Sequence, residues 1–441
     1  MLPSQRTYLL LLGGIAIAII SAILLNISTS ILITLGFDTI LLLLTFLDRF
    51  LVRQHRVTIS RDISPRLSIG RDNPVVLSVK SGKTQAILQI RDFYPSEINV
   101  SSPLLRAKLE PDTTSELTYT VNPNQRGEYT WGNIQVRQLG ALGLAWHNWQ
   151  ISQTEKVKVY PDLVGLRSLS IRLTLQSSGA MRQIRQMGIG TEFAELRNYR
   201  TGDDLRLIDW KATARRIGSY GNASPLVRVL EPEQEQTLLI LLDRGRLMTA
   251  RVQGLQRFDW GLNATLSLAL AGLHRGDRVG IGVFDRQVHT WIPPERGQGH
   301  LNHLIDRLTP IQPVLLESDY LGAVTHVVQQ QTRRALVVVI TDIVDTTASS
   351  ELLAALTRLA PRYLPFCVTL RDRQVDTIAE NFTTDVNTAY TRAVALDLLA
   401  QRQVAFAQLQ QKGVLVLDAP ANQITDQLID RYLQLKARNQ L

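Results

Sequence analysis

The sequence predicts a chain of three parts: an N-terminal membrane hairpin, a β-sandwich-like module and a doubly wound α/β domain. Three observations predict this fold class. Two long apolar runs come first, short alternating segments follow, and strand-like runs then alternate with amphipathic stretches. The expected boundaries are 1–56 for the hairpin, 57–165 for the β module, 166–236 for a charged linker block and 237–441 for the α/β domain.

The membrane hairpin is predicted from two apolar runs, Thr7–Leu25 and Ile31–Leu47. Each approaches the roughly 20 residues that a bilayer requires. A signal peptide would show one shorter run and a cleavage site, whereas here a second run follows at once. The arginines that flank the runs are Arg6, Arg49, Arg53 and Arg56. By the positive-inside rule, we expect a multi-pass protein of the plasma (inner) membrane with the bulk of its chain in the cytoplasm.

Asp38 is a carboxylate inside the second apolar run. Such a group costs about 2.5–3.5 kcal/mol at mid-bilayer on insertion scales. Two interpretations stand: a relay or helix-pairing residue, or a protonated or hydrogen-bonded side chain in an imperfect helix.

Composition excludes several classes of protein. With 20% charged and 45% hydrophobic residues, the chain is not an intrinsically disordered one. The single cysteine, Cys367, excludes an internal disulfide and a multi-cysteine zinc site, and it is expected to be a buried strand residue. The net charge of +9 suggests nucleic-acid binding, but the arginines are spread among acids with no basic run of five. We therefore expect no nucleic-acid partner.

The β module is predicted from short alternating segments such as SELTYTV and EKVKVYP, which turn clusters separate. Several short strands at regular spacing are typical of a small antiparallel sandwich. The aromatic residues of this part are Tyr129, Trp131, Trp146 and Trp149. They could stack on nucleic-acid bases, but packing in the core and rim of the sandwich is the stronger interpretation.

The α/β domain is predicted from strand-like runs at 237–243, 277–285, 288–292, 335–341, 363–370 and 413–418. Amphipathic stretches lie between them, at about 257–273, 297–308, 319–332, 350–360, 388–411 and 423–437. This alternation indicates a mostly parallel sheet with helices on both faces. The second and third runs lack a helix between them, so they form a hairpin with an antiparallel edge strand, and the strand order is 3-2-1-4-5-6.

In that order the first and fourth strands adjoin at the switch point, where ligands bind at the carboxyl ends of the strands. Asp243 ends the first strand and Asp342 follows the fourth. The topology therefore predicts that these two carboxylates come together.

Two features carry a family resemblance. The edge hairpin, the strand ending in Asp243 and the later Thr341-Asp342 pair resemble a von Willebrand factor A–type domain. The stretch GTEFAELRNYRTGDDLRLIDWKATAR, residues 190–215, resembles the conserved block of a bacterial family of unknown function, DUF family fifty-eight. The resemblance implies a membrane hairpin, a β module and a von Willebrand factor A–like domain in one chain. It also implies an adaptor partnered with a MoxR-type AAA+ ATPase rather than an enzyme.

The von Willebrand factor A pattern places D-x-S-x-S after the first strand, a threonine in a later loop and an aspartate after the fourth strand, as oxygen ligands for a divalent ion. In this chain Asp243 and Asp342 match the two aspartates, and Ser318 can replace the threonine. Gly245 and Leu247 stand where the two hydroxyl ligands belong. The sequence therefore predicts a degenerate metal-ion site.

Positive charge in the same loop also weakens the case for a metal. Arg244 and Arg246 would neutralise the carboxylates and repel a cation. We expect no cofactor, and at most weak Mg²⁺ binding by Asp243, Ser318 and Asp342. The positions expected to contact a partner or ligand are Asp243, Arg244, Arg246, Ser318 and Asp342.

The alternative function is a metal-dependent hydrolase or phosphatase that uses Asp243 and Asp342. Aspartate-based phosphatases carry a second acid two residues after the first, and Gly245 stands there. We therefore assign no catalytic residue.

The charged block is predicted to be structural. Its residues are Gly202, Asp203, Asp204, Arg206, Asp209, Trp210, Lys211 and Arg215. Asp203 or Asp204 is expected to cap a helix that starts near Leu205, with Trp210 anchoring the segment by packing. The arginines are expected to pair with carboxylates of neighbouring segments and so to set the orientation of the β module against the sheet domain.

Two alternatives for this block are catalysis by its paired carboxylates and contact with an anion or nucleotide. The block has no histidine and no phosphate-binding glycine loop, which counts against catalysis.

Overall fold

A computed structural model gives the fold of the chain. It describes residues 2–24, 27–54, 56–180, 192–220, 224–231, 236–343, 349–360, 362–382 and 385–438. The chain divides into two compact units, Met1–Val164 and Gly165–Leu441. The first unit contains the predicted hairpin and β module, and the second contains the charged block and the α/β domain.

The first unit has two helices, α1 (Gln5–Leu24) and α2 (Ile27–Gln54). Its strands are β1 (Leu2–Pro3), β2 (Thr58–Ile63), β3 (Arg66–Ser68), β4 (Asn73–Lys80), β5 (Ala86–Asp92), β6 (Ile98–Val100), β7 (Leu105–Leu109), β8 (Thr114–Pro123), β9 (Gly127–Trp131), β10 (Ile134–Leu139), β11 (Ala145–Ile151) and β12 (Glu155–Tyr160). They form sheets of order β1-β11-β10-β5-β7, β2-β4-β8-β6 and β3-β12-β9.

Both helices are long and apolar enough to cross a membrane. Only 17% of the apolar window of α1 and 11% of that of α2 are buried, so most of their apolar surface is exposed. Exposing this apolar surface to water would cost free energy, whereas placing it in the hydrocarbon of a bilayer would not. Ser21 and Ser30 contact each other at 2.7 Å near the reversal between the helices. The exposed Asp38 lines a groove between the two helices.

The two larger sheets of the first unit meet through their inner faces. Burial alternates along β4, β5 and β10, as it does in strands that bury one face only. Asp92 of β5 accepts hydrogen bonds from Arg61 of β2 at 2.6 Å and from Tyr119 of β8 at 2.7 Å. Because β5 and the other two strands belong to different sheets, this buried group joins the layers of a sandwich. Trp131 is fully buried, as core packing requires.

The second unit begins with α3 (Leu163–Ala180), β13 (Glu192–Asn198), α4 (Trp210–Tyr220) and β14 (Leu226–Glu231). It continues with β15 (Thr237–Asp243), β16 (Arg251–Val252), β17 (Leu255–Gln256), α5 (Arg257–His274), β18 (Arg278–Phe284), β19 (Val288–Glu295), α6 (Gln298–Leu308), α7 (Tyr320–Gln330), β20 (Leu336–Thr341), α8 (Ser350–Leu359), β21 (Leu364–Arg371), α9 (Arg373–Glu380), α10 (Val386–Gln411), β22 (Leu415–Pro420) and α11 (Ile424–Ala437).

The main sheet has the order β19-β18-β15-β20-β21-β22, which is the predicted 3-2-1-4-5-6. Its neighbouring strands pair in parallel, apart from the antiparallel β18–β19 pair. Helix α9 is not predicted from the sequence, because its 8 residues are too few for a clear apolar period. Asp372 starts it by accepting a hydrogen bond from the backbone N–H of Gln374 at 2.9 Å.

The core of the second unit lies on both faces of the central strands. Every described residue of β20 is buried, and in β15 all but the first are, as expected of parallel strands covered by helices. Cys367 is fully buried in β21, and burial raises the pKa of its thiol to about 12. The predicted buried position of this cysteine is therefore confirmed, and its thiol is inert at neutral pH.

Candidate functional site

Asp243 ends β15 with its carboxylate buried and surrounded by four hydrogen-bond donors. Its Oδ1 accepts hydrogen bonds from Ser318 Oγ at 2.5 Å and from the Gly245 backbone N–H at 2.7 Å. Its Oδ2 accepts from Thr341 Oγ1 at 2.6 Å and from the Tyr320 hydroxyl at 3.0 Å. Burial raises the pKa of Asp243, and these donors offset only part of that effect. The four hydrogen-bond donors of the Asp243 carboxylate are therefore all uncharged groups.

The loop before α7 brings Ser318 and Tyr320 to this aspartate. Its backbone pairs with the segment after β15, through Arg246 N–H to Leu316 O and Val314 N–H to Arg244 O, each at 2.8 Å. The pairing is close enough to require a glycine. A Cβ built on Gly245 would lie 2.0 Å from Ser318 Oγ. The backbone oxygen of Leu316 would lie 2.8 Å from the same Cβ, so the close approach of this loop requires a glycine where the pattern has its first hydroxyl.

Asp342 follows β20, is buried, and forms ion pairs with two arginines. Its Oδ2 lies 2.7 Å from Arg257 at the start of α5, and its Oδ1 lies 2.7 Å from Arg402 of α10. Arg402 also pairs with Asp418 of β22 at 2.8 Å. Burial alone would lower the pKa of Arg402, but Asp342 and Asp418 outweigh burial and raise it. Two guanidinium groups therefore provide the positive charge at this carboxylate.

The structure gives separate hydrogen-bond and ion-pair partners to Asp243 and Asp342, the two acids predicted to come together. They follow neighbouring strands, but among the described residues each carboxylate has its own donors. The register pairs Leu242 with Ile340, so Asp243 is level with Thr341. Because successive side chains of a strand point to opposite faces, Thr341 reaches Asp243 and Asp342 does not.

The expectation that Arg244 and Arg246 neutralise the two acids is also wrong. Arg244 pairs with Asp285 at 2.7 Å. Burial raises the pKa of Asp285, yet its hydrogen bond from Arg244 and its other contacts lower it below the ordinary value. Arg246 pairs with Glu317 at 2.8 Å, and both side chains are mostly exposed. Sequence reasoning missed the neutralising arginines because they lie on helices far along the chain.

The described residues do not fit a divalent cation at this edge. Within the part of the chain that the structure describes, no group of three or more His, Cys, Asp or Glu side chains could hold a metal ion. Hydrogen atoms of neutral donors face the Asp243 oxygens, and guanidinium groups cover Asp342. Ser318 uses its hydroxyl to donate to Asp243.

The charged block forms a small unit around the antiparallel pair β13–β14. Arg197 of β13 holds Asp203 with two hydrogen bonds, at 2.5 and 2.7 Å. Gly202 has a φ of 103°, which allows the turn before these acids. Asp204 caps a single 3₁₀ turn by accepting from the Arg206 backbone N–H at 2.9 Å. The helix predicted to start near Leu205 is therefore only this turn.

The α-helix of the block starts at Trp210 instead, and Asp209 caps it. Asp209 accepts from the Ala212 backbone N–H at 2.9 Å and from Arg228 Nε at 2.8 Å, and these bonds lower its pKa. Trp210 was expected to anchor the segment but is 66% exposed. Ile208 and Thr213 are the buried anchors.

The basic residues of the block itself, Arg206, Lys211 and Arg215, are exposed. The arginines that pair with its acids are Arg197 and Arg228, one on each strand. Asp203 and Asp209 of the block therefore pair with arginines of the two neighbouring strands.

Comparison with known proteins places the block inside a recognised region. Residues 195–405 match the family model described as "Protein of unknown function DUF58". The uncharacterized protein Rv1480 of Mycobacterium tuberculosis is 24% identical over 157 residues, which are 35% of this chain and 48% of that protein. The uncharacterized protein YeaD of Bacillus subtilis is 24% identical over 194 residues, 44% of each chain. The chain thus matches about half the length of these relatives.

Three solved structures are each similar to less than half of this chain. BatB from Bacteroides thetaiotaomicron has a TM-score of 0.31 and 14% identity, covering 46% of this chain and 99% of BatB. An aerotolerance-related membrane protein from Bacteroides fragilis has a TM-score of 0.29 and 14% identity, covering 44% and 99%. The SpRpn10 VWA domain has a TM-score of 0.29 and 10% identity, covering 44% and 94%. The strand order β19-β18-β15-β20-β21-β22 defines the fold of the α/β domain.

Proposed function

From the premise that the chain belongs to the DUF58 family through residues 195–405, we propose that it is a membrane-anchored adaptor. Its α/β domain binds a protein partner in the cytoplasm and catalyses no reaction itself. The proposed partner is an AAA+ ATPase of the MoxR type, a choice that comes from the family resemblance.

An apolar stripe at the start of α10 is the observation that carries the adaptor proposal. Phe382, Val386, Tyr390 and Val394 are 83%, 81%, 75% and 53% exposed. Val386, Tyr390 and Val394 lie four residues apart on successive turns of one face of α10, and Phe382 precedes the helix. Soluble proteins keep such contiguous apolar patches for interaction sites. A helix or groove of a protein partner is the ligand that this stripe suits.

The stripe lies toward the carboxyl edge of the sheet, because β21 ends there and α10 follows after the short α9. The loop before α7 adds a further exposed apolar residue at this edge, Leu315, which is 77% exposed. Beside it the Arg246–Glu317 ion pair is also exposed. Of the predicted contact positions, Arg246 is thus available to a partner, while Asp243, Ser318 and Asp342 are engaged inside the domain.

Membrane anchoring in this proposal depends on α1 and α2. The arginines Arg6, Arg49, Arg53 and Arg56 flank the apolar helices at their outer ends, which by the positive-inside rule places both ends in the cytoplasm. The proposed location is therefore the plasma (inner) membrane, with the α/β domain on the cytoplasmic side.

The adaptor proposal is tested by capture from solubilised membranes with the full chain as bait, in ATP, in ADP and without nucleotide. The wild-type chain should recover an AAA+ ATPase in at least one nucleotide state. A Val386→Asp, Tyr390→Asp variant should lose it, because charges would enter an apolar contact. Val404→Asp is the matched control, since Val404 is 53% exposed farther along the same helix.

Recovery of no ATPase in any nucleotide state would overturn the partner assignment. Full recovery by the double variant would overturn the role of the stripe.

A further inference from the structure

The end of α2 and strand β11 enclose a basic cavity of about 280 Å³. Arg49 and Arg53 line it from α2, one helical turn apart, and Arg56 lines it from just beyond the helix. His147 and Asn148 of β11 complete the polar wall. We call this group of five residues the basic cavity.

None of the described residues that line the basic cavity is acidic. Asp48, the residue before Arg49 in α2, is fully buried. It accepts hydrogen bonds from the N–H groups of Leu142 at 2.8 Å and Leu144 at 3.2 Å. Three arginines thus surround one small space that would attract an anion.

His147 supplies an independent sign of a missing ligand. The residue is only 8% exposed, and its Nε2 has no hydrogen-bond partner among the described residues. The pKa of His147 is lowered from its ordinary value. Burial is the largest cause; Asp48 opposes it, and Arg49 and Arg56 add to it. A buried ring nitrogen without a partner is costly, and an oxygen acceptor in the cavity would satisfy it.

The position of the cavity, at the end of a helix long enough to cross a membrane, suits a lipid headgroup. Arg49 and Arg53 lie at the end of the apolar helix that is long enough to cross a membrane. The guanidinium of Arg56 stacks 5.3 Å from the ring centre of Trp149. Arginines and tryptophans together are typical of the boundary between hydrocarbon and water, where lipid phosphates lie.

We propose that the basic cavity binds the phosphate of an anionic phospholipid headgroup. Arg49, Arg53 and Arg56 neutralise the phosphate, and His147 donates a hydrogen bond to one of its oxygens. Guanidinium groups match phosphate geometry and keep their charge at the interface. The site rests on the membrane anchoring of the proposed function and is independent of the protein partner.

Native mass spectrometry of the full chain tests the site. The protein would be released from nanodiscs made of equal parts of phosphatidylcholine and phosphatidylglycerol, and the retained lipids counted. The wild-type chain should retain phosphatidylglycerol in preference to phosphatidylcholine. An Arg49→Gln, Arg53→Gln, Arg56→Gln variant should lose this preference by about fivefold for each arginine.

The matched control is Lys83→Gln, Lys108→Gln, Lys158→Gln, which removes the same charge from exposed positions of the β module. It should keep the preference. Equal retention of both lipids by the wild-type chain would overturn the proposal, and so would an unchanged preference in the arginine variant. Should the arginine variant fail to fold, the wild-type comparison decides the question, through the retention of phosphatidylglycerol relative to phosphatidylcholine.

A second arm separates lipid from soluble phosphate. Thermal unfolding is measured in phosphatidylcholine nanodiscs with added sodium phosphate, and in phosphatidylglycerol nanodiscs without it. A rise of the melting temperature with phosphatidylglycerol alone supports the lipid. An equal rise with sodium phosphate would show that the cavity takes soluble phosphate and would overturn the lipid assignment. Failure to capture a protein partner would leave both arms unaffected.

Discussion

Thr341 donates a hydrogen bond to Asp243 from the neighbouring strand, with its Oγ1 2.6 Å from Oδ2 of the aspartate. A neutral hydroxyl therefore stands where the von Willebrand factor A pattern suggested a second carboxylate facing a metal. Asp342, one residue later, faces two arginines instead. This separation of the two acids determines how each should respond to substitution.

Asp243→Asn should change how stability depends on pH. Because the pKa of Asp243 is raised above its ordinary value of 3.8, the folded state binds its proton more tightly than the unfolded state does. The free energy of unfolding should therefore fall as pH rises from about this ordinary value through the raised pKa. The asparagine variant lacks this contribution, since its oxygen can accept from Gly245 and its amide can donate to the hydroxyls of Thr341 and Tyr320.

Urea unfolding of the detergent-solubilised chain across a pH series measures this effect. Asp243→Ala serves as the control. It should be about 1–3 kcal/mol less stable than the asparagine variant at every pH, because neither variant titrates at this position and the alanine leaves buried donors unpaired. Parallel pH profiles for the wild-type and asparagine chains would contradict the raised pKa.

Gly245→Ser should destabilise the α/β domain rather than restore a metal site. The new Cβ would lie 2.0 Å from Ser318 Oγ, so overpacking should cost about 1–3 kcal/mol. Ser318→Gly in the same chain should recover part of the loss, since the two sites are in contact. Thermal unfolding with and without Mg²⁺ provides the measurement. Stabilisation of the single variant by Mg²⁺ would show that one added hydroxyl suffices to rebuild the ion site.

Arg402→Met should be strongly destabilising. The side chain of Arg402 is 5% exposed and pairs with both Asp342 and Asp418. The change would leave Asp342 with Arg257, and Asp418 with its longer contact to Arg371, so each buried acid would lose one of its two arginines. Breaking a buried pair in this way costs about 3–5 kcal/mol. Arg246→Met is the comparison, because its pair with Glu317 is exposed and should be worth about 0–1 kcal/mol. Similar losses in the two variants, measured by chemical denaturation, would refute the structural role of Arg402.

Asp209→Ala should open the charged block to proteases. The change removes the cap of α4 and the partner of Arg228 on β14, so cleavage near residue 230 should accelerate. Limited proteolysis followed by mass mapping reports the rate. Asp204→Ala is the control, because Asp204 caps only a 3₁₀ turn and should have a smaller effect. An unchanged cleavage rate in the Asp209 variant would argue against this role.

Much of the α/β domain was predictable from local pattern. Buried parallel strands such as β15 and β20 are nearly continuous apolar runs, and the connection from β18 to β19 has no room for a helix. These two features predict the observed strand order. Trp210 shows the limit of the approach, since a large apolar side chain in a charged segment suggested an anchor but is exposed.

The sequence by itself determined the membrane-length helices, the order of the sheet and the position of Asp243 at the end of its first strand, because these depend on periodicity and on connections between neighbours in the chain. Only the tertiary structure decided which charges meet. Arg257 and Arg402 come to Asp342 from different helices, and His147 comes to the arginines at the end of α2 from a strand. Coulombic attraction and burial act through space, and no local spacing encodes which distant side chain the fold will bring within a few ångströms.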